Sequence, residues 1–123
     1  MSKISMDVER YMDGPTITDS ILTSSFIFPA EFIGFQGHFP TKRILPGACQ
    51  IQCVISTIEK AVGKRVVLKE ILLAKYIAPV FPGDNVTCTV SEVPDTGIYK
   101  ARITKGAEKV SDLKMRLSLS DAI

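Results

Sequence analysis

The 123-residue sequence has little of several features that mark particular classes of protein. No apolar run approaches the roughly 18 residues that a membrane span needs, and the first residues, MSKISMDVERYMDG, lack the apolar stretch of a secretory signal. The formal net charge is only +2 and the basic residues are scattered, which gives no support for a nucleic-acid-binding protein. These features predict a soluble, cytoplasmic protein with a single domain over residues 1–123.

Cysteine and histidine are also scarce, with three copies and one copy respectively. The odd number of cysteines, all within apolar pattern, predicts reduced thiols in the core of a cytoplasmic protein. Cys49 and Cys53 lie four residues apart on a predicted helix, but the chain has only His38 to join them in a zinc set. We therefore expect no metal site and no cofactor.

The sequence does contain a clear change of hydrophobic period near its centre. From Gly47 to Val62 the apolar residues recur at helical spacing, and Gly63 follows as a natural C-terminal stop. The predicted apolar stripe of this helix consists of Ile51, Val54, Ile55, Ile58 and Val62. The pattern predicts one buried helix that begins at Gly47 and ends at Val62.

Segments with strand character lie on both sides of this helix. Residues 16–33 predict one or two strands broken at Pro29. After the helix, four strand-like segments are separated by the turns FPGD, PDTG and GAEK. One helix followed by an antiparallel meander predicts an α+β hotdog fold, in which an antiparallel sheet wraps around one central helix. A generic α+β sandwich is the alternative that the pattern leaves open.

The residues with catalytic potential lie where the loop meets the helix. His38 is the one side chain whose ordinary pKa suits proton transfer near neutral pH. The first N–H groups of a helix, here those of Gly47 and Ala48, have no partners within it and lie at the positive end of its dipole. They can polarise a carbonyl oxygen, although a structural turn and a structural histidine explain the same residues.

Two blocks of sequence carry a resemblance to a known family. Residues 37–52, GHFPTKRILPGACQIQ, are similar to the motif G-H-F-P-x-x-P-x-x-P-G-x-x-x-x-[DE], and residues 74–84, AKYIAPVFPGD, to K-F-x-x-P-V-x-P-G-D. These are motifs of the β-hydroxyacyl-acyl-carrier-protein dehydratases (FabA/FabZ-like proteins), which have the hotdog fold. The resemblance implies reversible elimination of water from a (3R)-3-hydroxyacyl thioester to a trans-2-enoyl thioester, in fatty-acid or specialised lipid and polyene synthesis.

The resemblance also implies roles for individual residues. His38 falls on the catalytic histidine, which handles the C2 proton. Gly47 and Ala48 fall where backbone N–H groups hold the thioester carbonyl, and Asp84 is interpreted as a structural turn residue. Active sites of this family lie at a dimer interface, so a homodimer or an assembly of dimers is implied. The substrate would be delivered by an acyl carrier protein or as another pantetheine-linked acyl thioester.

One position departs from the motif in a way that affects the chemistry. Gln52 replaces the family's acidic residue, and an amide can hydrogen-bond a hydroxyl but has no acidic proton to give. One hypothesis keeps catalysis: His38 takes the C2 proton and returns it to the leaving hydroxyl, which Gln52 orients. A non-catalytic acyl-thioester-binding protein or an inactive partner subunit is the alternative. A hotdog thioesterase is less favoured, because it needs a carboxylate where Gln52 stands.

Four basic residues provide a candidate docking surface. Lys42, Arg43, Lys64 and Arg65 would form a docking patch for an acidic carrier protein if they share a surface. Separate, solvated charges explain them equally simply.

Overall fold

The computed structural model describes residues 3–36 and 43–120. Its elements are α1 (Lys3–Arg10), β1 (Met12–Thr18), β2 (Ile21–Ile27), a short 3-10 helix (Ile33–Phe35), α2 (Gly47–Val62), β3 (Arg65–Tyr76), β4 (Asn85–Val93), β5 (Ile98–Lys105) and β6 (Glu108–Ser120). The six strands form one antiparallel sheet in the order β1-β2-β4-β5-β6-β3, and α2 packs against it. The predicted α+β hotdog architecture is confirmed.

The main helix, α2, begins and ends at the predicted residues. Pro46 precedes it, and Gly63 closes it in the left-handed conformation, with φ of 70° and its N–H donating to the carbonyl of Glu59 at 2.9 Å. The buried residues of α2 are Val54 and Ile58 of the predicted stripe and five small or polar residues outside it: Cys49, Gln50, Cys53, Ser56 and Thr57. Ile51 and Ile55 are only partly buried, and Val62 is 42% exposed. The face with small side chains is therefore the one buried within a single chain, since small side chains allow close packing.

The N-terminal part of the chain differs from the prediction. The first two strands begin at Met12 and end at Ile27, so that strand structure starts earlier and stops sooner than residues 16–33. Asp19 and Ser20 connect them, both with positive φ (50° and 66°), as in the tight turns that match the twist of antiparallel strands. A short helix, α1, was not predicted, and it packs on α2 with Val8 fully buried.

The three cysteines are free and buried, which confirms their predicted place in the core. Burial raises the pKa of Cys49 to about 11 and that of Cys88 to about 12, so both thiols are protonated at neutral pH. No helix among residues 3–36 and 43–120 is long and apolar enough to cross a membrane.

The last feature that bears on function is the edge of the sheet. Among residues 3–36 and 43–120, β3 has only β6 beside it, and its outer edge is unpaired. Six of its apolar side chains are between 37% and 47% exposed: Val67, Leu68, Ile71, Leu72, Leu73 and Tyr76. A long, apolar, unpaired edge is unusual for a chain that acts alone, because it is a ready site for strand pairing.

Candidate active site

A cavity of about 470 Å³ lies at the N-terminal end of α2. Three segments line it: the 3-10 helix with Gly34 and Phe35, the stretch from Ile44 to Gly47 together with Gln50, and the chain from Tyr76 to Pro79. Most of these side chains are apolar. A mainly apolar cavity with a few polar groups is the usual form of a small-molecule site.

The tip of α2 presents free backbone donors to this region. The N–H groups of Cys49 and Gln50 both donate to the carbonyl of Pro46, at 3.0 and 3.2 Å. Those of Gly47 and Ala48 have no acceptor among the described residues. These two donors, at the positive end of the helix, are therefore available to a ligand oxygen.

Tyr76 explains why a glycine begins the helix. A Cβ atom added to Gly47 would lie 2.6 Å from both Cζ and the hydroxyl oxygen of Tyr76, closer than real side chains approach. The phenol ring is thus packed directly over the helix tip, and glycine permits that approach. Burial raises the pKa of Tyr76, so its hydroxyl is neutral and able to donate a hydrogen bond at neutral pH.

Gln50 supplies the second polar group of the cavity. Its side chain is only 3% exposed, and its Oε1 accepts a hydrogen bond of 2.7 Å from the hydroxyl of Ser111. Ser111 is itself fully buried on β6, in register with Tyr76 on β3. Neither Gln50 nor Tyr76 was predicted from the sequence as a site residue. The available signals were a glutamine within an apolar helix, and a tyrosine where the second motif has phenylalanine.

Gln52, the residue at the motif's acidic position, points elsewhere within the single chain. Its Nε2 donates to the hydroxyls of Ser5 on α1 and Ser56 on α2, at 3.2 and 3.0 Å. It is partly buried and is not among the residues that line the cavity. The structure therefore brings Gly47 and Gln50 to this cavity and places Gln52 under α1.

His38 lies outside the described residues, as does the rest of segment 37–42. Its role as the catalytic histidine accordingly stays a prediction. Lys42, one member of the predicted basic patch, falls in the same segment. Another member, Arg43, donates to the carbonyl of Ala30 at 2.9 Å, which gives it a structural contact.

Asp84 has the structural role that the motif implied. Its Oδ2 accepts from the backbone N–H of Phe81 at 2.8 Å and from Nζ of Lys105 at 3.1 Å. The Phe81 hydrogen bond, together with Lys105, lowers the pKa of Asp84. This carboxylate closes the turn between β3 and β4, and the prediction is confirmed.

Comparison with known proteins identifies the family of this chain. Residues 15–114 match the ApeI-like family, described as ApeI dehydratase. The chain belongs to this dehydratase family. It is thus a hotdog protein of the FabA/FabZ-like group, as the two sequence motifs implied.

Individual relatives agree with this family. The chain is 39% identical over 64 residues to the 3-hydroxyacyl-[acyl-carrier-protein] dehydratase FabZ of Ehrlichia chaffeensis. This match covers 48% of this chain and 45% of the relative. It is 31% identical over 91 residues to FabZ of Clostridium acetobutylicum, covering 66% of this chain and 64% of the relative. The matches to these curated relatives therefore span about half to just under two thirds of their length.

Solved structures share the fold at low sequence identity. The dehydratase heterocomplex ApeI:P from Xenorhabdus doucetiae matches with a TM-score of 0.74 and 20% identity, covering 86% of this chain and 92% of that one. Structures named as thioesterases share the fold as well, at TM-scores of 0.70 with 9% and 15% identity. The fold by itself does not separate the two activities, which have to be argued from the site.

Proposed function

We propose that this ApeI-like protein eliminates water reversibly from a (3R)-3-hydroxyacyl thioester to give a trans-2-enoyl thioester. The observation that carries the proposal is the cavity that Gly47 lines at the α2 tip, where the N–H groups of Gly47 and the adjacent Ala48 are free, in a chain of a dehydratase family. Hydrogen bonds from Gly47 and Ala48 to the thioester carbonyl would stabilise the negative charge that develops when the C2 proton leaves.

The proton transfers are assigned to His38. The imidazole takes the proton from C2, the C2 electron pair forms the C2–C3 double bond, and the C3–O bond breaks. The leaving oxygen receives the same proton from His38 and departs as water, so that no further acid is required. Gln52 has no acidic proton to give and does not line the cavity within the single chain, so the role of orienting the hydroxyl is not assigned to it.

The substrate is proposed to be an acyl chain linked through pantetheine, carried by an acyl carrier protein or another pantetheine carrier. The apolar lining of the cavity suits an acyl chain, and its volume of about 470 Å³ lies in the range of small-molecule sites. The pathway is proposed to be fatty-acid synthesis or a specialised lipid or polyene route. A cytoplasmic location accords with three free, buried cysteines.

The unpaired edge of β3 supports a homodimer as the working form. Pairing of two β3 strands would satisfy the free backbone groups of the edge and cover exposed side chains such as Ile71 and Leu73. The related ApeI:P structure is a heterocomplex, so a different protein chain is the alternative occupant of this edge. Sedimentation of the purified chain separates the two: a dimer without any partner supports the homodimer, and a monomer points to a heterologous partner.

One assay separates the activities open to this site. The protein is incubated with 3-hydroxyoctanoyl-pantetheine, and absorbance of the conjugated enoyl thioester is recorded together with free thiol. We expect enoyl product without thiol release, and hydration when the enoyl thioester is supplied instead. If His38→Ala forms no enoyl product, the proton transfer is assigned to His38. Thiol release indicates a thioesterase, and binding without either product indicates a non-catalytic acyl-thioester binder.

A further inference from the structure

The buried amide of Gln50 has an open donor that faces the cavity. Its Oε1 is occupied by the hydroxyl of Ser111 at 2.7 Å, which fixes the orientation of the amide. Its Nε2 has no acceptor among the described residues. Within those same residues, Ser24 Oγ is the sole fully enclosed side-chain polar atom that lacks a partner, so Nε2 is not sealed in the core. Because Gln50 lines the cavity, that donor is accessible from it.

We propose that Gln50 determines substrate specificity by donating a hydrogen bond from Nε2 to the C3 oxygen of the bound acyl thioester. The inference rests on the proposed function and assigns to Gln50 the contact that the motif would give to Gln52. The reason is the difference in their partners. The Nε2 of Gln52 is already bonded to two serine hydroxyls under α1, whereas that of Gln50 is free toward the cavity.

The spacing along α2 suits this contact. Gly47 and Gln50 are three residues apart, so they lie on the same side of the helix and about 4.5 Å apart along its axis. A thioester carbonyl held at Gly47 and Ala48 is followed two carbons later by the C3 substituent. An acyl chain that runs from the helix tip along α2 therefore carries its C3 oxygen toward Gln50.

The surroundings of Gln50 give this hydrogen bond its selectivity. The cavity is mostly apolar, and Tyr76 covers the helix tip on the other side. A saturated acyl chain would displace water from Nε2 without replacing its hydrogen bond, which costs desolvation energy. A chain with a C3 hydroxyl restores the bond. Sites built around a hydrogen bond to a substrate hydroxyl discriminate strongly against analogues that lack it.

The test compares two probes that differ only in that oxygen: 3-hydroxyoctanoyl-pantetheine and octanoyl-pantetheine. Calorimetric titrations use the full chain with His38→Ala, so that the hydroxy probe is not consumed. We expect about tenfold tighter binding of the hydroxy probe, the range of one buried hydrogen bond. Gln50→Leu should bring the ratio of the two affinities to about one while octanoyl-pantetheine still binds.

Two further variants keep the result interpretable. Gln50→Leu combined with Ser111→Ala removes the serine hydroxyl that the single change leaves unpaired, and the affinity ratio should again be about one. Gln52→Leu is the matched comparison, and there we expect the ratio to persist. Three results would overturn the inference. They are an affinity ratio that Gln50→Leu retains, an affinity ratio that only Gln52→Leu loses, and equal affinity of the parent His38→Ala protein for the two probes. Failure of the parent to bind either probe rejects the proposed function itself.

Discussion

The contact between Gly47 and Tyr76 allows a quantitative test of how the helix tip is built. In Gly47→Ala the new methyl would lie 2.6 Å from Cζ of Tyr76, whereas ordinary contacts of a Cβ atom begin near 3.4 Å. The ring or the helix must therefore shift by roughly 0.8 Å, and overpacking of this kind costs about 1–3 kcal/mol. Tyr76 is 47% exposed and can swing partly outward, which favours the lower half of that range.

The intrinsic preference of a helix for alanine over glycine offsets part of this cost. Alanine in place of glycine in a helix stabilises a protein by about 0.5–1 kcal/mol when nothing obstructs the methyl group. We therefore expect Gly47→Ala to lower the free energy of unfolding by about 1 kcal/mol in the parent protein. In a Tyr76→Ala background the same change should be neutral or stabilising. The coupling energy of the cycle should be about 1–2 kcal/mol.

The cycle is measured by guanidinium denaturation followed by circular dichroism, at one protein concentration for all four proteins. Dehydratase activity of Gly47→Ala should fall as well, because the shifted ring or helix disturbs the donors at the tip. The reasoning would be refuted by a cost of Gly47→Ala that is the same with and without the tyrosine ring. That outcome would mean that the ring does not occupy the space beside the helix tip.

Three other changes test separate parts of the argument. Gln52→Glu restores the motif's carboxyl group, but because position 52 does not line the cavity, the rate of enoyl formation should stay close to that of the parent; a rise of about tenfold or more would show that an acid at this position reaches the substrate. Leu72→Glu on β3 should shift the sedimenting species from dimer to monomer, whereas Ile17→Glu on the opposite edge strand should not; a dimer in both variants would place the interface elsewhere. The pKa of Asp84 is lowered in the folded state, so its contribution to stability is complete above the unfolded pKa near 3.8 and is lost as pH falls through the folded value. Denaturation midpoints should thus decline more steeply from pH 5 to pH 3 in the parent than in Asp84→Asn, and parallel declines would contradict the assignment.

The reaction proposed for this chain uses three different kinds of chemical group. The helix tip stabilises charge, the imidazole takes one proton from C2 and gives it to the leaving oxygen, and the Gln50 amide donates a hydrogen bond to that oxygen. Losing the motif's acid typically costs about 10²–10⁴ in rate, so a slow enzyme is expected relative to one that holds a carboxyl group against the substrate. The Gln52→Glu comparison shows whether a carboxyl group at position 52 recovers any of that rate.

The elements with strong local signals were predictable from the sequence. The limits of α2 at Gly47 and Val62 follow from helical periodicity and from a glycine that closes the last turn. The strands β4, β5 and β6 follow from alternating apolar residues and from turns rich in proline, glycine and aspartate. Each of these signals acts between residues that are close in the chain, so it is present before any tertiary contact forms.

The N-terminal elements lacked such signals. α1 has eight residues, too few to be stable alone, and it gains its stability from packing on α2. β1 contains the sequence MDGPTIT, which shows no apolar alternation, and it is held by its pairing with β2. Both elements depend on long-range contacts, which a local pattern does not report.

By itself the sequence determined the family motifs, the central helix and the free donors at its tip, because local spacing and backbone chemistry specify them. Tertiary structure alone decided that β3 forms the sheet edge and that Gln50, not Gln52, lines the cavity. The two glutamines are two residues apart and so project about 200° from each other around α2. Which of them meets the cavity depends on where β6 and α1 pack, and those neighbours come from distant parts of the chain.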